Sequence, residues 1–413
     1  MAEERLPNRW MFAGAAIVMQ LCLGNLYTWS IFRTPLMKLN GWSITQATWP
    51  FNLSIFFFAL AMVGAGRWQD KVGPRTVAMT GGVILAVGFL LASVVGNTLP
   101  GIYFTYGILA GAGVGFAYVT PIACLIKWFP DMRGMMTGIA VLGFGAGSMI
   151  GAPVGTALID KVGVYSTFAI FGIAFGVLVV LSGAMLRNPP AGYRPAGWTP
   201  PAPAAGKPTM TKYDYTPSEI LGVPQTYLLW FTFLMWASIG LMAISQAVPL
   251  AVELAKVERG VAAGALGTMA IFNGLGRPAF GWLSDRIGRN WSAVLAFIVY
   301  IVGMLVVIRN ATSIGMFTVG LSMVGFAYGG EFAVMPSFTA DYYGTKNVGV
   351  NYGLIFTAWG CAGILGPIIG AQVREIYGTF LPAFWILSAM GVLGIIAVMI
   401  TKAPAPREAA ARA

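Results

Sequence analysis

The chain alternates long apolar stretches with short polar breaks. Twelve stretches of about 20 residues are apolar enough to cross a bilayer as helices. They form two groups of six, separated by a proline-rich polar segment at 187–223. This pattern predicts an all-α membrane protein built from two pseudo-symmetric six-helix bundles. The apolar windows lie at 10–33, 46–66, 76–97, 100–126, 135–159 and 164–186, and then at 226–251, 260–283, 291–309, 313–339, 348–373 and 379–401.

The windows also predict the domain organisation. We expect an N-terminal six-helix bundle at 1–187, a cytoplasmic linker at 188–223, a C-terminal six-helix bundle at 224–402 and a cytoplasmic tail at 403–413. With the N-terminus inside, 17 lysines and arginines fall on the cytoplasmic side and 7 on the other side. This bias predicts that both termini are cytoplasmic.

The two halves of the chain repeat one another. Residues 66–73 and 281–288 both read G-x-x-x-D-[KR]-x-G, at positions 215 residues apart. Residues 114–118, VGFAY, in the fourth window recur unchanged as 324–328 in the tenth. We interpret these matches as an internal duplication, which in transporters places the substrate near the bilayer midplane.

One arginine, Arg277, interrupts the eighth window. A charge in hydrocarbon costs about 2.5–3.5 kcal/mol on insertion scales, so a chain tolerates it where it faces water or binds an anion. Pro278 follows and removes the backbone donor to the Gly274 carbonyl, which weakens the helix there. Asn273 lies one turn earlier on the same face. We interpret Arg277 as an anion site; the alternative is an arginine that reaches to the cytoplasmic interface.

Composition excludes most other classes of protein. The chain of 413 residues is 57% hydrophobic and 9% charged, with a mean hydropathy of +0.76, which indicates a polytopic membrane protein. It contains no histidine, which excludes the usual proton shuttle, most metal sites and Ser/His or Cys/His catalysis. Its three cysteines lie in apolar windows without metal-site spacing. We therefore expect no enzyme activity, no metal and no cofactor.

The net charge of +11 does not indicate nucleic-acid binding, because the basic residues are spread through short loops. The first window is long enough to span a membrane and lacks a small-residue cleavage site, so we expect no cleavable signal. We expect a monomeric chain in a lipid bilayer.

The loop G-x-x-x-D-[KR]-x-G between the second and third windows, with its copy between the eighth and ninth, resembles the signature of the major facilitator superfamily. The resemblance implies a carrier in which charged residues of these loops clamp helix ends on the inward side and act as a conformational gate. The alternative is that they are solvated turns. The implied gate residues are Asp70, Lys71, Arg75, Asp285, Arg286 and Arg289.

Within this superfamily the chain is similar to two groups. One is the monocarboxylate transporters, including bacterial members that symport L-lactate with a proton, and the other is the oxalate:formate antiporters. The similarity covers both halves. It rests on Gly24 with Tyr27-x-Trp29, on WFPDMRG at 128–134, on Asn273-x-x-x-Arg277-Pro278, on Asp341-x-x-Gly344-Thr345 and on Asn351-Tyr352-Gly353.

The resemblance implies that Arg277 binds a substrate carboxylate, and a guanidinium offers a bidentate fork for that group. Where oxalate transporters have a lysine in the eleventh helix, this chain has Trp359. Because a dicarboxylate needs two cations, we expect a monocarboxylate. Animal monocarboxylate transporters have an aspartate where this chain has Asn273 and a lysine in the first helix, where residues 26–30 contain none. The usual proton-accepting pair is therefore absent.

Aromatic and apolar residues are the other candidate substrate contacts. Tyr118 and Tyr328 occupy matched positions of the repeat, and a phenol can donate to a carboxylate while its ring lies beside a methyl group. Plain helix packing is the alternative for all of these residues. The candidate apolar walls are Phe332, Phe356 and Trp359, joined on similar grounds by Leu26, Tyr27 and Leu142.

Glu331 in the tenth window is the other deep ionisable residue. A carboxyl group whose burial and partner change during transport can load and release a proton, so Glu331 is the candidate for proton coupling. The alternatives are a helix-packing carboxylate and a proton that travels on the substrate as the neutral acid.

These expectations together predict a secondary active transporter of the bacterial inner membrane. It symports a small monocarboxylate, L-lactate or pyruvate, with a proton by alternating access. The alternative is an organic anion exchanger of the oxalate:formate type.

Overall fold

The computed structural model describes residues 7–195, 197–199 and 213–404. Every regular element within these residues is a helix. The chain divides into two compact units, Met1–Asp131 with Ile139–Pro200, and Met132–Gly138 with Pro201–Ala413. The predicted boundaries at 187, 223 and 402 stay a prediction. Parts of the predicted linker (196 and 200–212) and of the predicted tail (405–413) lie outside the described residues.

The first unit consists of long helices joined by short turns. The seventh helix is divided between the units: its first residues, up to Gly138, are part of the second unit, and the rest, from Ile139, is part of the first. The elements are α1 (Trp10–Leu23), a 3₁₀ segment (Gly24–Thr28), α2 (Trp29–Asn40), α3 (Ile44–Val72), α4 (Pro74–Val95), α5 (Leu99–Ile102), a π-helical segment (Tyr103–Ala110), α6 (Gly111–Trp128), α7 (Arg133–Val162) and α8 (Val164–Met185).

The second unit opens with one short helix, whose Thr216–Glu219 capping box satisfies its first amides. Long helices follow, again with short connections. The elements are α9 (Pro217–Leu221), α10 (Pro224–Leu254), α11 (Arg259–Ile287), α12 (Arg289–Ile301), a π-helical segment (Val302–Ile308), α13 (Ile314–Tyr343), α14 (Val348–Tyr377) and α15 (Leu381–Ile400).

Eleven helical stretches in the described part of the chain are long and apolar enough to cross a membrane. They correspond to eleven of the predicted windows. The remaining window, 260–283, is present as α11, which has 29 residues and runs through Pro278. At 1.5 Å per residue α11 exceeds the hydrocarbon thickness of about 30 Å. The predicted all-α transmembrane architecture is confirmed.

The repeated loop motif ends each time in a glycine with the same backbone conformation. Gly73 follows α3 with φ of 89° and ψ of 168°, and Gly288 follows α11 with φ of 90° and ψ of 161°. Only glycine adopts this region readily. The final glycine of the motif is therefore required by the turn, and the duplication extends from sequence to backbone geometry.

The pattern of the first apolar window predicts one continuous α-helix, but the structure shows an interruption. A 3₁₀ segment separates α1 from α2 and contains Leu26 and Tyr27. The Thr28 hydroxyl donates to the Asn25 carbonyl at 2.6 Å, and the Tyr106 hydroxyl donates to the Leu26 carbonyl at 3.1 Å. Such interruptions often mark functional hinges. The apolar window does not reveal this one, because the window averages over the five residues of the segment and its apolar neighbours.

Candidate functional site

The position of Arg277 is set by the close approach of α11 and α13. A Cβ atom at Gly329 of α13 would overlap the carbonyl oxygen of Asn273 and lie 3.2 Å from the backbone nitrogen of Arg277. The two backbones therefore touch at this point, as small residues allow in membrane helix pairs. The contact brings the side chain of Arg277 to the face of α13 that carries Phe332.

The Arg277 guanidinium is buried, with a residue exposure of 3%. Its Nε and Nη2 atoms donate to Asn273 Oδ1 at 3.3 and 3.2 Å. Its Cζ atom lies 4.8 Å from the centroid of the Phe332 ring. The amide one turn earlier thus orients the guanidinium, and the ring supplies a cation–π contact in a desolvated setting.

Aromatic side chains from α13 and α14 continue from this point. The indole N–H of Trp359 donates to the Tyr328 hydroxyl at 3.0 Å. Trp359 stacks on Phe356 at 5.2 Å, and Phe332 lies edge-on to Tyr328 at 5.4 Å. The structure therefore brings together the six predicted second-unit contacts. We call them the Arg277 cluster: Asn273, Arg277, Tyr328, Phe332, Phe356 and Trp359.

The Arg277 cluster combines one cation with apolar rings. A guanidinium in a desolvated site favours an anion with two oxygens in one plane. The rings favour a short apolar substituent on that anion. No group of three or more His, Cys, Asp or Glu side chains in the described residues could hold a metal ion. The cluster is thus suited to binding a carboxylate with a small carbon chain.

Glu331 lies on α13 between Tyr328 and Phe332 in sequence and is fully buried. Neither of its carboxylate oxygens has a hydrogen-bond partner among the described residues. Arg277 is the charged side chain that acts on it electrostatically. Burial of a carboxyl group without a hydrogen-bond partner is costly, which makes Glu331 a candidate functional group next to the Arg277 cluster.

The first unit contains a second aromatic cluster around Tyr118. The Tyr118 ring lies 5.0 Å from Phe58 and 5.1 Å from Phe144, and Tyr27 lies 5.3 Å from Phe144. We call these four residues the Tyr118 cluster. Sequence reasoning identified Tyr27 and Tyr118 but missed Phe58 and Phe144, since a phenylalanine in an apolar window carries no signal of its own.

The remaining predicted first-unit contacts have different positions. Leu26 is buried, with 2% exposure, and its carbonyl accepts the Tyr106 hydroxyl. Leu142 is half-buried on α7, two residues before Phe144. Because residues two apart on a helix do not share a face, Leu142 and Phe144 point in different directions. The role of Leu142 stays a prediction.

Near the end of α13, Asp341 lies between two arginines. Its Oδ1 accepts from Arg133 Nη1 and its Oδ2 from Arg289 Nε, both at 2.8 Å. Arg289 also contacts Asp285 Oδ1 through Nη1 at 2.6 Å. We call these four side chains, all largely buried, the Asp341 network. Removing one member of such a network leaves a buried charge without its partner, which is costly.

Asp285 also caps the first turn of α7. Its Oδ1 and Oδ2 atoms accept the backbone N–H groups of Gly134 and Met135, both at 2.9 Å. A carboxylate at a helix N-terminus satisfies amides that have no partner in the helix, and the helix dipole favours it. Displacement of this turn would therefore break charged hydrogen bonds.

The predicted gate residues fall into two environments. Asp285 and Arg289 belong to the Asp341 network, whereas Arg286 is exposed and lies 4.3 Å from the Trp282 ring centroid. Sequence reasoning did not identify Arg133 and Asp341 as gate residues, although both stand in motifs that carry the family resemblance.

The first copy of the loop has a different pattern of contacts. Asp70 is half-buried and accepts from Gln69 Nε2 at 3.4 Å. Lys71 and Arg75 are exposed. A gating role for these residues stays a prediction.

Comparison with known proteins identifies the family. The sequence profile described as Major Facilitator Superfamily matches residues 11–272 and 257–413. The chain belongs to the major facilitator superfamily. A crystal structure of the superfamily transporter FucP, in the outward conformation, is similar to it with a TM-score of 0.74 at 15% identity, covering 95% of this chain and 98% of that one. That likeness shows the fold alone.

Relatives of this superfamily transporter include carriers of organic anions. The oxalate:formate antiporter of Oxalobacter formigenes is 30% identical over 380 residues, which are 90% of this chain and 87% of the antiporter. Monocarboxylate transporter 13 of Bos taurus is 24% identical over 389 residues, which are 93% of this chain and 87% of that protein. These similarities indicate a multi-pass membrane transporter.

The structure also gives a role to a motif of this transporter that lies outside both clusters. Asn351 and Asn347 both donate their side-chain N–H groups to the Tyr215 carbonyl, at 3.1 and 2.9 Å. The Tyr215 backbone N–H donates to the Tyr343 carbonyl at 2.9 Å. The segment before α9 is thus held against the connection between α13 and α14, the two helices that carry the aromatic part of the Arg277 cluster.

Proposed function

We propose that this transporter moves a small monocarboxylate together with a proton, with L-lactate as its main substrate and pyruvate as a second one. The observation that carries the proposal is the buried Arg277 guanidinium, oriented by Asn273 and placed over Phe332. In this assignment the guanidinium binds the carboxylate through a bidentate pair of charged hydrogen bonds.

The rest of the Arg277 cluster supports a substrate with one carboxylate. The position that would supply a second cation is occupied by Trp359, whose indole N–H bonds to Tyr328 and whose ring stacks on Phe356. A dicarboxylate bound here would have one charge without a cationic partner in the cluster, which is costly in a desolvated site. The rings instead suit the methyl group of lactate or pyruvate.

Glu331 is the proposed proton carrier. Its burial, its lack of a hydrogen-bond partner among the described residues and its interaction with Arg277 make its charge sensitive to whether a substrate anion occupies the guanidinium. An anion on Arg277 screens the positive charge that stabilises an ionised Glu331. Substrate binding and protonation are therefore expected to favour one another.

Other parts of the chain are assigned by the same proposal. Tyr27 and Tyr118 of the first unit, with Leu26 and Leu142, serve as further substrate contacts. The Asp341 network and the first loop copy with Asp70, Lys71 and Arg75 act as the gate for alternating access. The proposed location is a bacterial inner membrane, and the distribution of lysines and arginines supports cytoplasmic termini.

A second candidate function is anion exchange. It is favoured by the similarity to the oxalate:formate antiporter, which is 30% identical to this chain, whereas monocarboxylate transporter 13 is 24% identical. The two functions differ in what drives uptake: a symporter responds to a proton gradient, and an exchanger requires an anion inside.

Uptake of radiolabelled L-lactate into proteoliposomes separates these functions. Two preparations are compared, one with an inward proton gradient and empty vesicles, the other without a gradient but preloaded with unlabelled lactate, formate or oxalate. We expect the gradient alone to drive accumulation. Uptake that ignores the gradient and requires internal oxalate or formate would contradict symport and establish exchange. No lactate uptake under either condition would contradict the proposed substrate.

A further inference from the structure

A second polar group lies buried in the second unit beside the helix that carries Glu331. Tyr300 of α12 has an exposure of 1%, and its hydroxyl has no hydrogen-bond partner among the described residues. The Trp236 indole next to it cannot accept the hydroxyl proton, because an indole N–H only donates, and this one donates to the Ala327 carbonyl at 2.9 Å. Buried hydroxyls almost always have a partner, so this one requires an explanation.

The Tyr300 hydroxyl lies close to the backbone of α10 at Gly240. A Cβ atom at Gly240 would lie 2.9 Å from the Tyr300 hydroxyl and would overlap the ring of Tyr328. Tyr300 and Tyr328 therefore meet at the same glycine. Glu331 follows Tyr328 by three residues on α13 and so lies on the same side of the helix, one turn further on.

The charged and titratable groups around Glu331 come from three helices. Arg277 acts on Glu331 from α11, Tyr300 interacts electrostatically with it from α12, and Tyr328 lies on its own helix. The other packed helices present Gly240 and Trp236 from α10 and Trp359 from α14, none of which titrates. Tyr300 thus has a neutral O–H group without a hydrogen-bond partner among the described residues, and it meets α13 at Tyr328, one turn before Glu331.

We propose that Tyr300 is a positioning residue for the coupling proton, whose hydroxyl donates to the Glu331 carboxylate when that group is ionised. The step moves one proton between the Glu331 carboxyl and water, and the O–H bond of the phenol stays intact. When Glu331 is protonated the bond is absent, and in this structure neither the Tyr300 hydroxyl nor the Glu331 carboxyl has a hydrogen-bond partner among the described residues. The inference rests on the proposed function, in which Glu331 carries the proton.

The test compares wild type, Tyr300→Phe and the control Tyr227→Phe, an exposed α10 tyrosine whose hydroxyl donates to the Leu221 carbonyl. Gradient-driven L-lactate uptake is measured from about pH 5 to 8, and lactate counterflow is measured at one pH. We expect Tyr300→Phe to keep counterflow within about twofold of wild type. We expect the pH at which its uptake is half-maximal, the uptake midpoint, to rise by about one pH unit. The reason is that loss of a hydrogen-bond donor disfavours the ionised Glu331 carboxylate.

Infrared spectroscopy gives a readout that does not depend on transport. The carbonyl band of the protonated Glu331 carboxyl is identified by its absence in Glu331→Gln. The pH at which this band disappears is expected to rise in Tyr300→Phe and to stay at the wild-type value in Tyr227→Phe. If both the band and the uptake midpoint of Tyr300→Phe match wild type, the inference is wrong and the proposed function stands. If wild-type uptake ignores the proton gradient, the proposed function is wrong.

Discussion

At the residue scale, the proposed function depends on one buried cation and the side chains around it. Arg277 is held by an amide one turn away and by an aromatic face. A charge in this position costs about 2.5–3.5 kcal/mol on insertion scales, and such residues in membrane helices usually have a functional role. The side chains next to Arg277 then determine which anion fits and how a proton accompanies it.

Trp359→Lys tests the specificity assigned to the Arg277 cluster. The change removes the bond to Tyr328 and the stack on Phe356 and introduces a second cation. We expect L-lactate uptake to fall by at least about tenfold, while inhibition by a dicarboxylate such as oxalate becomes stronger relative to lactate. Competition assays in proteoliposomes measure both, with Trp359→Phe as the matched control. Unchanged preference for lactate over oxalate would contradict the one-cation argument.

Glu331→Gln tests the assignment of the proton. The substitution keeps the size of the side chain and removes its titration. We expect gradient-driven accumulation of lactate to be lost, while lactate counterflow continues, because exchange needs no net proton movement. Both are measured in the same vesicles. Accumulation that persists in Glu331→Gln would show that the proton travels on the substrate or on another group.

At the scale of elements, the pairing of α11 with α13 positions the site. The two helices touch through backbone atoms at Gly329. In the first unit, the irregular element is the 3₁₀ segment between α1 and α2, which contains the predicted substrate contacts Leu26 and Tyr27. In the proposed function, substrate binding therefore depends on these two local departures from ordinary helix packing.

Gly329→Ala should separate α11 from α13. Its added methyl group would overlap the Asn273 carbonyl, whereas Gly264→Ala, a control on α11, meets nothing within 4 Å. We expect Gly329→Ala to lower stability by about 1–3 kcal/mol, as overpacking does, and to weaken lactate binding. Thermal unfolding in detergent and equilibrium binding check this. Equal melting temperatures for the two variants would show that the helix pair tolerates a side chain there.

Some of these elements could be predicted from sequence, and others could not. Apolar windows and the repeated loop indicated the helices, and a charge inside one window indicated Arg277. The pair Arg133–Asp341 is separated by 208 residues, so only tertiary structure shows the bond. Tyr300 and Phe144 have no sequence signal, because aromatic residues are common in transmembrane helices.

At the scale of the whole molecule, transport requires that a gate open and close without altering the substrate site. The Asp341 network has the properties of such a gate, since its buried ion pairs and helix-capping bonds can be broken together. Its residues lie at helix ends and not in the Arg277 cluster. Rate and affinity should therefore respond to different residues.

Asp285→Asn should reduce turnover and leave affinity nearly unchanged. An amide can accept from only one of the two α7 amides and does not carry the charge that pairs with Arg289. We expect the maximal rate of lactate uptake to fall by about tenfold, with the dissociation constant of lactate within about threefold of wild type. Asp160→Asn, an exposed position on α7, is the control. A wild-type rate in Asp285→Asn would exclude the network as a gate.

The most direct test of the central claim is L-lactate uptake under an inward proton gradient for wild type, Arg277→Lys, Arg277→Ala and Arg309→Ala. Arg309 is an exposed arginine and serves as the control. We expect Arg277→Ala to weaken lactate binding by about 2–4 kcal/mol, or roughly 30- to 1,000-fold. Arg277→Lys should be impaired because it lacks the bidentate fork, and Arg309→Ala should resemble wild type. Wild-type uptake by Arg277→Ala would contradict the account and make Arg277 a structural residue.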